Sequence, residues 1–515
     1  MKKTLLAFFI VFACFSLNSK IFSQKYQIKS ADFDIEGAGF AFLGKTKPYT
    51  ILTNFPLDTK TVFESASELE NWTLNYKKTL ENSRNFDFVE ISYEQENETL
   101  LQEDINQVVL KIKIKDSHHL LFVPYPKFSS NTGLSLKIKG KDSNFLGSLQ
   151  TLSSEIAFEF TDEGFSPGFS LDYDFPFKLG IFDAKWVNDY SISYTTGKSM
   201  PEWNFKTGLT LNLPLHKNSL LLELYQYSYK NFDYEKFNDD LYFTEEAALS
   251  TPVSIFTFEN YTNLYFTPKI SFYYNWDFDG ISIDNNSLSS PSITFSNTLS
   301  NGKINWNDCF RSGYSASLTN SFTYNIQRND FSPYLGIELK LFYDWQITDK
   351  INFFERLGIT TNMYLFSYFF IPGNSYFYGE QIGSRLRGIL DKSFFGNAEP
   401  EYTASTAFVF NLDFPFHLFT TNFKGRFFEK LNFNMQMSPF FDAALVLDRE
   451  KNTLFSVKDG YYCAGLEILV YPLKWSSYTL RASIGFDIKK VLNSDSLFEG
   501  LKKHNEIFIG IGLHY

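Results

Sequence analysis

The chain has 515 residues, and its 47 Lys and Arg are outnumbered by 58 Asp and Glu, giving a formal net charge of -11. That balance excludes a nucleic-acid-binding surface, which needs a basic stripe. Cysteine occurs only at Cys14, Cys309 and Cys463 and the six histidines are scattered, so neither a disulfide framework nor a metal site or cofactor is expected.

Residues 1–23 open with Met1-Lys2-Lys3, run apolar from Leu5 to Leu17 and reach Ser23-Gln24 through small and polar residues, the pattern of a secretory signal peptide cut near Ser23. Val11-Phe12-Ala13-Cys14 allows a second reading, a loose lipoprotein box that would acylate Cys14. Beyond residue 24 there is no run of about 18 apolar residues, so no transmembrane helix is expected. Aromatics make up 19% while the mean hydropathy is -0.20. An AT-rich genome would enrich Phe and Tyr in the same way, so patterning has to decide between a secreted soluble β protein and a transmembrane β-barrel.

Residues 24–117 read as a small α/β module. A strand is expected over 26–35. Leu69, Trp72, Tyr76 and Leu80 then fall on one side of a helix over 67–84. Strands over 86–94 and 107–116 flank a polar turn, and residues 118–130 read as a linker.

From 131 to 515 the period is two. Trp203, Phe205, Thr207, Leu209, Leu211, Leu213 and Leu215 alternate with polar or small residues. The same holds for Tyr314 to Ile326, Leu335 to Trp345 and Leu431 to Met437. Runs of about a dozen exceed an ordinary soluble strand of about 5–6 residues and suit a tilted membrane span. Trp203, Tyr314, Tyr343, Trp345 and Tyr515 sit near strand ends, where an interfacial girdle would be. A long-stranded sandwich or solenoid also alternates; the aromatic ends favour an all-β transmembrane barrel of about 16 antiparallel strands. Residues 230–251 and 277–290 read as loops. Gly164-Phe165-Ser166-Pro167-Gly168 matches a nucleophile elbow, but an alternating strand follows where the elbow needs a helix, and no enzyme is expected.

Several segments together resemble the BamA/TamA-type bacterial surface antigen superfamily, in which one or more POTRA modules precede a 16-stranded outer-membrane barrel. The stretch from Leu80 to Asp116 is similar to the end of a POTRA module, and PYPKFSSNTGLSLKIKGKDSNFLG, residues 124–147, to the family's entry into the barrel. In YGEQIGSRLRGILDKSFFGN, residues 378–397, the tetrad Leu386-Arg387-Gly388-Ile389 resembles the motif carried by the family's lumen loop, here about 372–404. MSPFFDAALV, residues 437–446, resembles the strand motif whose Asp faces inward. By that resemblance Arg387 pairs with Asp442, and parity independently puts Asp442 on the polar face with Asn432, Asn434 and Gln436. Gly510, Leu513 and Tyr515 match the family's C-terminal signal. Gly510 and Gly512 weaken the last strand, so a lateral seam is expected between it and a first strand at Gly133 to Gly140.

The resemblance implies an outer-membrane assembly factor with its N-terminal module in the periplasm. It would insert β-barrel proteins into the membrane, or translocate polypeptides across it, by strand pairing at the seam. Its partners would be the outer-membrane lipid bilayer and unfolded outer-membrane or secreted polypeptides, with room for periplasmic or lipoprotein partners. A passive porin-like channel is the alternative, and a surface adhesin a third reading.

Overall fold

The computed structural model describes residues 24–514 except 39–43, 96–104, 130–132, 162–163, 216–217, 259–261, 347–355, 375–377, 390–402, 426–427, 449–452 and 476–477. The expected signal peptide, Cys14 and Tyr515 lie outside the described residues.

The N-terminal module begins with β1 (Lys25–Glu36), α1 (Pro48–Asn54), β2 (Val62–Phe63) and α2 (Ala66–Asn82). It ends with β3 (Phe86–Gln95) and β4 (Ile105–Asp116), and its sheet order is β2-β1-β4-β3. The pair β1 and β4 is parallel, with antiparallel partners on either side. At the start of α2, Ser65 accepts from Glu68 N at 3.2 Å, while the Glu68 carboxylate accepts from Glu64 N at 2.8 Å. One free helical N–H is thereby satisfied, and the Glu68 side chain ties down the residue that precedes the cap. The helix turns Leu69, Tyr76 and Leu80 onto Ile28, Phe63, Leu110 and Ile112, all buried. Sequence patterning missed α1 and β2, which are too short to show a period.

Twenty-two strand segments close the barrel. Four of them, Phe175–Leu179, Val253–Thr257, Phe416–Thr420 and Thr453–Leu454, are short pieces beside longer neighbours, which leaves eighteen long strands in the described wall. Trp186, Leu209, Leu224, Ala247, Phe272 and Ile293 form one register row across six strands. Trp186, Leu224, Phe272 and Ile293 leave 40–51% of their surfaces exposed, an apolar band on the outer face. The inner face is polar, with Lys269 bonded to Glu223 at 2.9 Å and Tyr227 donating to Glu246 at 2.9 Å. This is the wall of a transmembrane barrel, wet inside and apolar outside.

Two assignments made from the sequence are corrected here. Residues 118–130 are not simply a linker, because β5 (Leu120–Ser129) is a wall strand paired along its length with β6 (Gly133–Asp142). Residues 230–251 are not all loop, because Leu241–Ser250 is a wall strand.

Two joints seat the module on the barrel. At one, Lys78 Nζ donates to Trp306 O at 2.8 Å, and Asn82 bridges Asn305 Oδ1 and Trp306 N at 2.9 and 3.1 Å. The Arg84 guanidinium lies 4.2 Å from the Trp306 ring centre. At the other, Asp116 accepts from Thr46 N and Oγ1 at 3.0 and 2.7 Å, and Asn144 Nδ2 donates to Thr46 Oγ1 at 2.6 Å. Lys47 N also donates to Gly147 O at 3.1 Å.

Candidate functional site

Five neighbouring strands place Asp413, Phe440, Gly465, Gly485 and Glu506 in one register row on the lumen side. The row is a cradle for the loop segment 386–389. A Cβ on Gly465 would lie 2.5 Å from the Phe440 ring, and one on Gly485 would lie 2.5 Å from Arg387 O. The two glycines therefore leave room for the ring and for the loop backbone above it. Gly388, at φ +114, takes a conformation that other residues resist, and a Cβ there would meet Phe486 N at 2.6 Å.

Arg387 is 4% exposed. Its Nε and one terminal nitrogen donate to the two oxygens of Asp442 at 3.0 and 2.7 Å, and its backbone N donates to the same carboxylate at 2.8 Å. The other terminal nitrogen donates to Asp413 Oδ1 at 2.7 Å and stands 3.7 Å from Glu467. Phe440 supports the guanidinium from one face, 3.9 Å away. A buried carboxylate or guanidinium is tolerated only when paired and hydrogen-bonded, and this arrangement supplies both. The next link is Gly388 N, which donates to Glu506 Oε2 at 2.7 Å on the closing strand, Asn505–Ile511. Leu386 and Ile389, the outer positions of the tetrad, are buried with Phe366, Ala407, Val409 and Ala444. Of the expected loop over 372–404, residues 390–402 lie outside the described set.

Asp413, Phe440, Glu467, Gly485 and Glu506 were not singled out from the sequence. Parity alone could have found the acids, since Asp413 shares a face with Asn411 and Glu467 is the lone acid of YYCAGLEILVYP.

The closing strand keeps the expected alternation only as far as Ile511. Gly510 pairs with Arg481, and a Cβ on it would meet the Phe508 ring at 2.7 Å. That ring lies under the Arg481 guanidinium at 4.0 Å. At Gly512, φ +104, the chain turns away while its N–H donates to Thr479 O at 2.8 Å. Leu513 then joins Trp306, Cys309, Phe310, Leu469 and Tyr471, so it does not continue the outer face. Gln436 Nε2 donates to Cys309 O at 2.7 Å, folding the turn after Trp306 across the lumen mouth. Between this plug and Arg387 a cavity of about 30 Å³ is left.

The seam also differs from expectation. The strand beside the closing strand is β5, and Gly133 to Gly140 lies one strand further along the wall. Among the described residues the ladder between them consists of Phe508 with Ser129 and Ile509 with Phe128. On its other side the closing strand pairs from Leu480 through Phe486. Pro124 and Pro126 give one side of β5 two positions without an N–H, as an edge position permits.

No family model and no curated protein matches the chain. Among solved structures it is similar to CdiB from Acinetobacter baumannii, with a TM-score of 0.50 and 13% identity over 95% of this chain and 74% of that one. CdiB from Escherichia coli gives 0.47 and 10% over 95% and 76%. BamA from Haemophilus ducreyi lacking POTRA domains 1-3 gives 0.37 and 15% over 94% and 84%. The likeness to the first is one of fold.

Proposed function

We propose that the chain is an outer-membrane assembly factor that inserts β-barrel proteins into the membrane or passes polypeptides across it. The observation that carries the reading is the seam, a wall joint with ladder pairs at Phe508–Ser129 and Ile509–Phe128 between strands otherwise fully paired on their far sides. Such a joint is the least costly place for a client strand to add to the wall by backbone hydrogen bonding. The N-terminal module, on the periplasmic side, would present the edge of β3 to the extended client. The Arg387–Asp442 pair would hold the loop across the five strands next to the seam. Acyl chains of the bilayer would cover the outer apolar band.

A passive channel is the second reading, favoured by a lumen space of about 500 Å³ lined by Lys137, Glu155, Glu159 and Ser166. Removing residues 24–117 separates the two: a channel still conducts, whereas an assembly factor loses client insertion. Depletion followed by a survey of outer-membrane proteins tests the first reading directly. Loss of a defined set of barrels supports it, and an unchanged set overturns it.

A further inference from the structure

Among the described residues, no ladder holds the module-side half of the seam. The closing strand leaves the wall at Gly512, and below that level the gap is bridged by the turn that precedes strand Leu480–Asp487. Tyr478, 3% exposed, directs its hydroxyl at His119 O and Lys141 O, 3.3 and 3.2 Å away at the feet of β5 and β6. Trp475 Nε1 donates to Leu120 O at 3.3 Å, and its ring meets His118 edge-on at 6.0 Å. Lys141 Nζ lies 5.2 Å from the centre of the Tyr478 ring. Thr479, the residue after this tyrosine, holds Gly512 N, so the bridge stands directly beside the point where the closing strand departs.

The far side of the bridge is a rigid foot. His119 Nδ1 is hydrogen-bonded to Asp142, which also accepts from Asn144 N at 2.9 Å. Asn144 leads through Thr46 to Asp116 in the N-terminal module. The β5–β6 hairpin and the module are thus one body, and the turn carrying Tyr478 belongs to the other lip of the seam.

We infer that Tyr478, assisted by Trp475, is a latch across the seam, and that the seam opens when these side chains release the carbonyls of His119, Leu120 and Lys141. The latch is a positioning device: it reaches backbone carbonyls and touches no client. It also couples the module to the seam, because a rotation of the module carries His119 and Lys141 with it. The inference rests on the proposed function only in treating the seam as the client's route.

The test uses the full chain with Cys309 and Cys463 replaced by alanine and a cysteine pair at Phe128 and Ile509, which face each other across the ladder. The rate of disulfide formation reports how often the seam is closed. Tyr478→Phe removes the hydroxyl and keeps the ring, and Trp475→Phe removes the other donor. Each is expected to slow cross-linking several-fold, with a larger effect in the double variant. An unchanged rate in the double variant overturns the latch. If one single variant fails to fold, as judged by heat-modifiable gel mobility, the other single variant decides. A disulfide-locked chain that still inserts clients would overturn the seam as the client's route while leaving the latch intact, so the two failures are distinguishable.

Discussion

Gly485 and Arg387 are in backbone contact across the lumen: a side-chain carbon on the glycine would stand 2.5 Å from the arginine's carbonyl oxygen. The wall strand is cut to fit the loop, and the fit depends on a missing methyl group as much as on charge.

Gly485→Ala is therefore expected to push the loop off the wall. Overpacking of this kind costs about 1–3 kcal/mol, read as a lower denaturant midpoint in micelles. Gly388→Ala should cost at least as much, because its φ of +114 adds backbone strain.

Deleting one member of the buried pair should be more damaging. Arg387→Met strands Asp442 and Asp413, and Asp442→Asn removes the fork; each is expected to cost about 3–5 kcal/mol. The double variant should lose less than the sum. Arg387→Lys is expected to rescue little, since an ammonium cannot make both bonds to Asp442 in the guanidinium's planar geometry. Urea titration followed by tryptophan fluorescence measures all four.

The module's seat on Trp306 can be loosened without touching the barrel wall. Arg84→Ala removes a cation–π contact of about 0.5–2 kcal/mol, and Asn82→Ala removes the acceptor of Trp306 N–H. Both should speed hydrogen exchange in the peptide containing Trp306. Exchange equal to the parent's would show that the joint contributes nothing to protecting that turn.

Stability of the module should depend on pH. Burial pushes the Asp116 carboxyl above its ordinary value, with the Thr46 hydrogen bonds opposing the shift. The folded form thus holds a proton at a pH where the unfolded chain has released it. The contribution is fully present below the ordinary carboxylate range, about pH 4, and is lost as pH rises through the raised value. Asp116→Asn should flatten that slope in thermal unfolding of the full chain.

The sequence exposes what has a period and hides what depends on register. Alternation marks the long strands because each must be apolar outside and polar inside. It fails at Leu241–Ser250, where Glu245 and Glu246 are adjacent. There Glu245 faces outward, accepting from Gln226 at 2.9 Å and from Trp276 at 3.3 Å, and Glu246 faces inward, accepting from Tyr227. It fails again at β5, whose prolines suggest a linker although a seam edge accommodates them. Parity located Asp442 on the lumen face, but the cradle around Arg387 depends on how strands distant in sequence are staggered, and no local pattern encodes that. The latch is still less visible: Tyr478 and Trp475 sit in a turn with no periodicity, and their partners are carbonyl groups that every residue carries.

Glu506 belongs to the closing strand, yet it grips Gly388 at 2.7 Å. The loop enters the lumen from the end opposite the N-terminal module, so under the proposed function this bond is a mechanical tether between that end of the barrel and the lip of the seam. An outward swing of that lip must tug on the loop or tear free of it. A reagent clamped to the loop's surface end would consequently act as a remote brake.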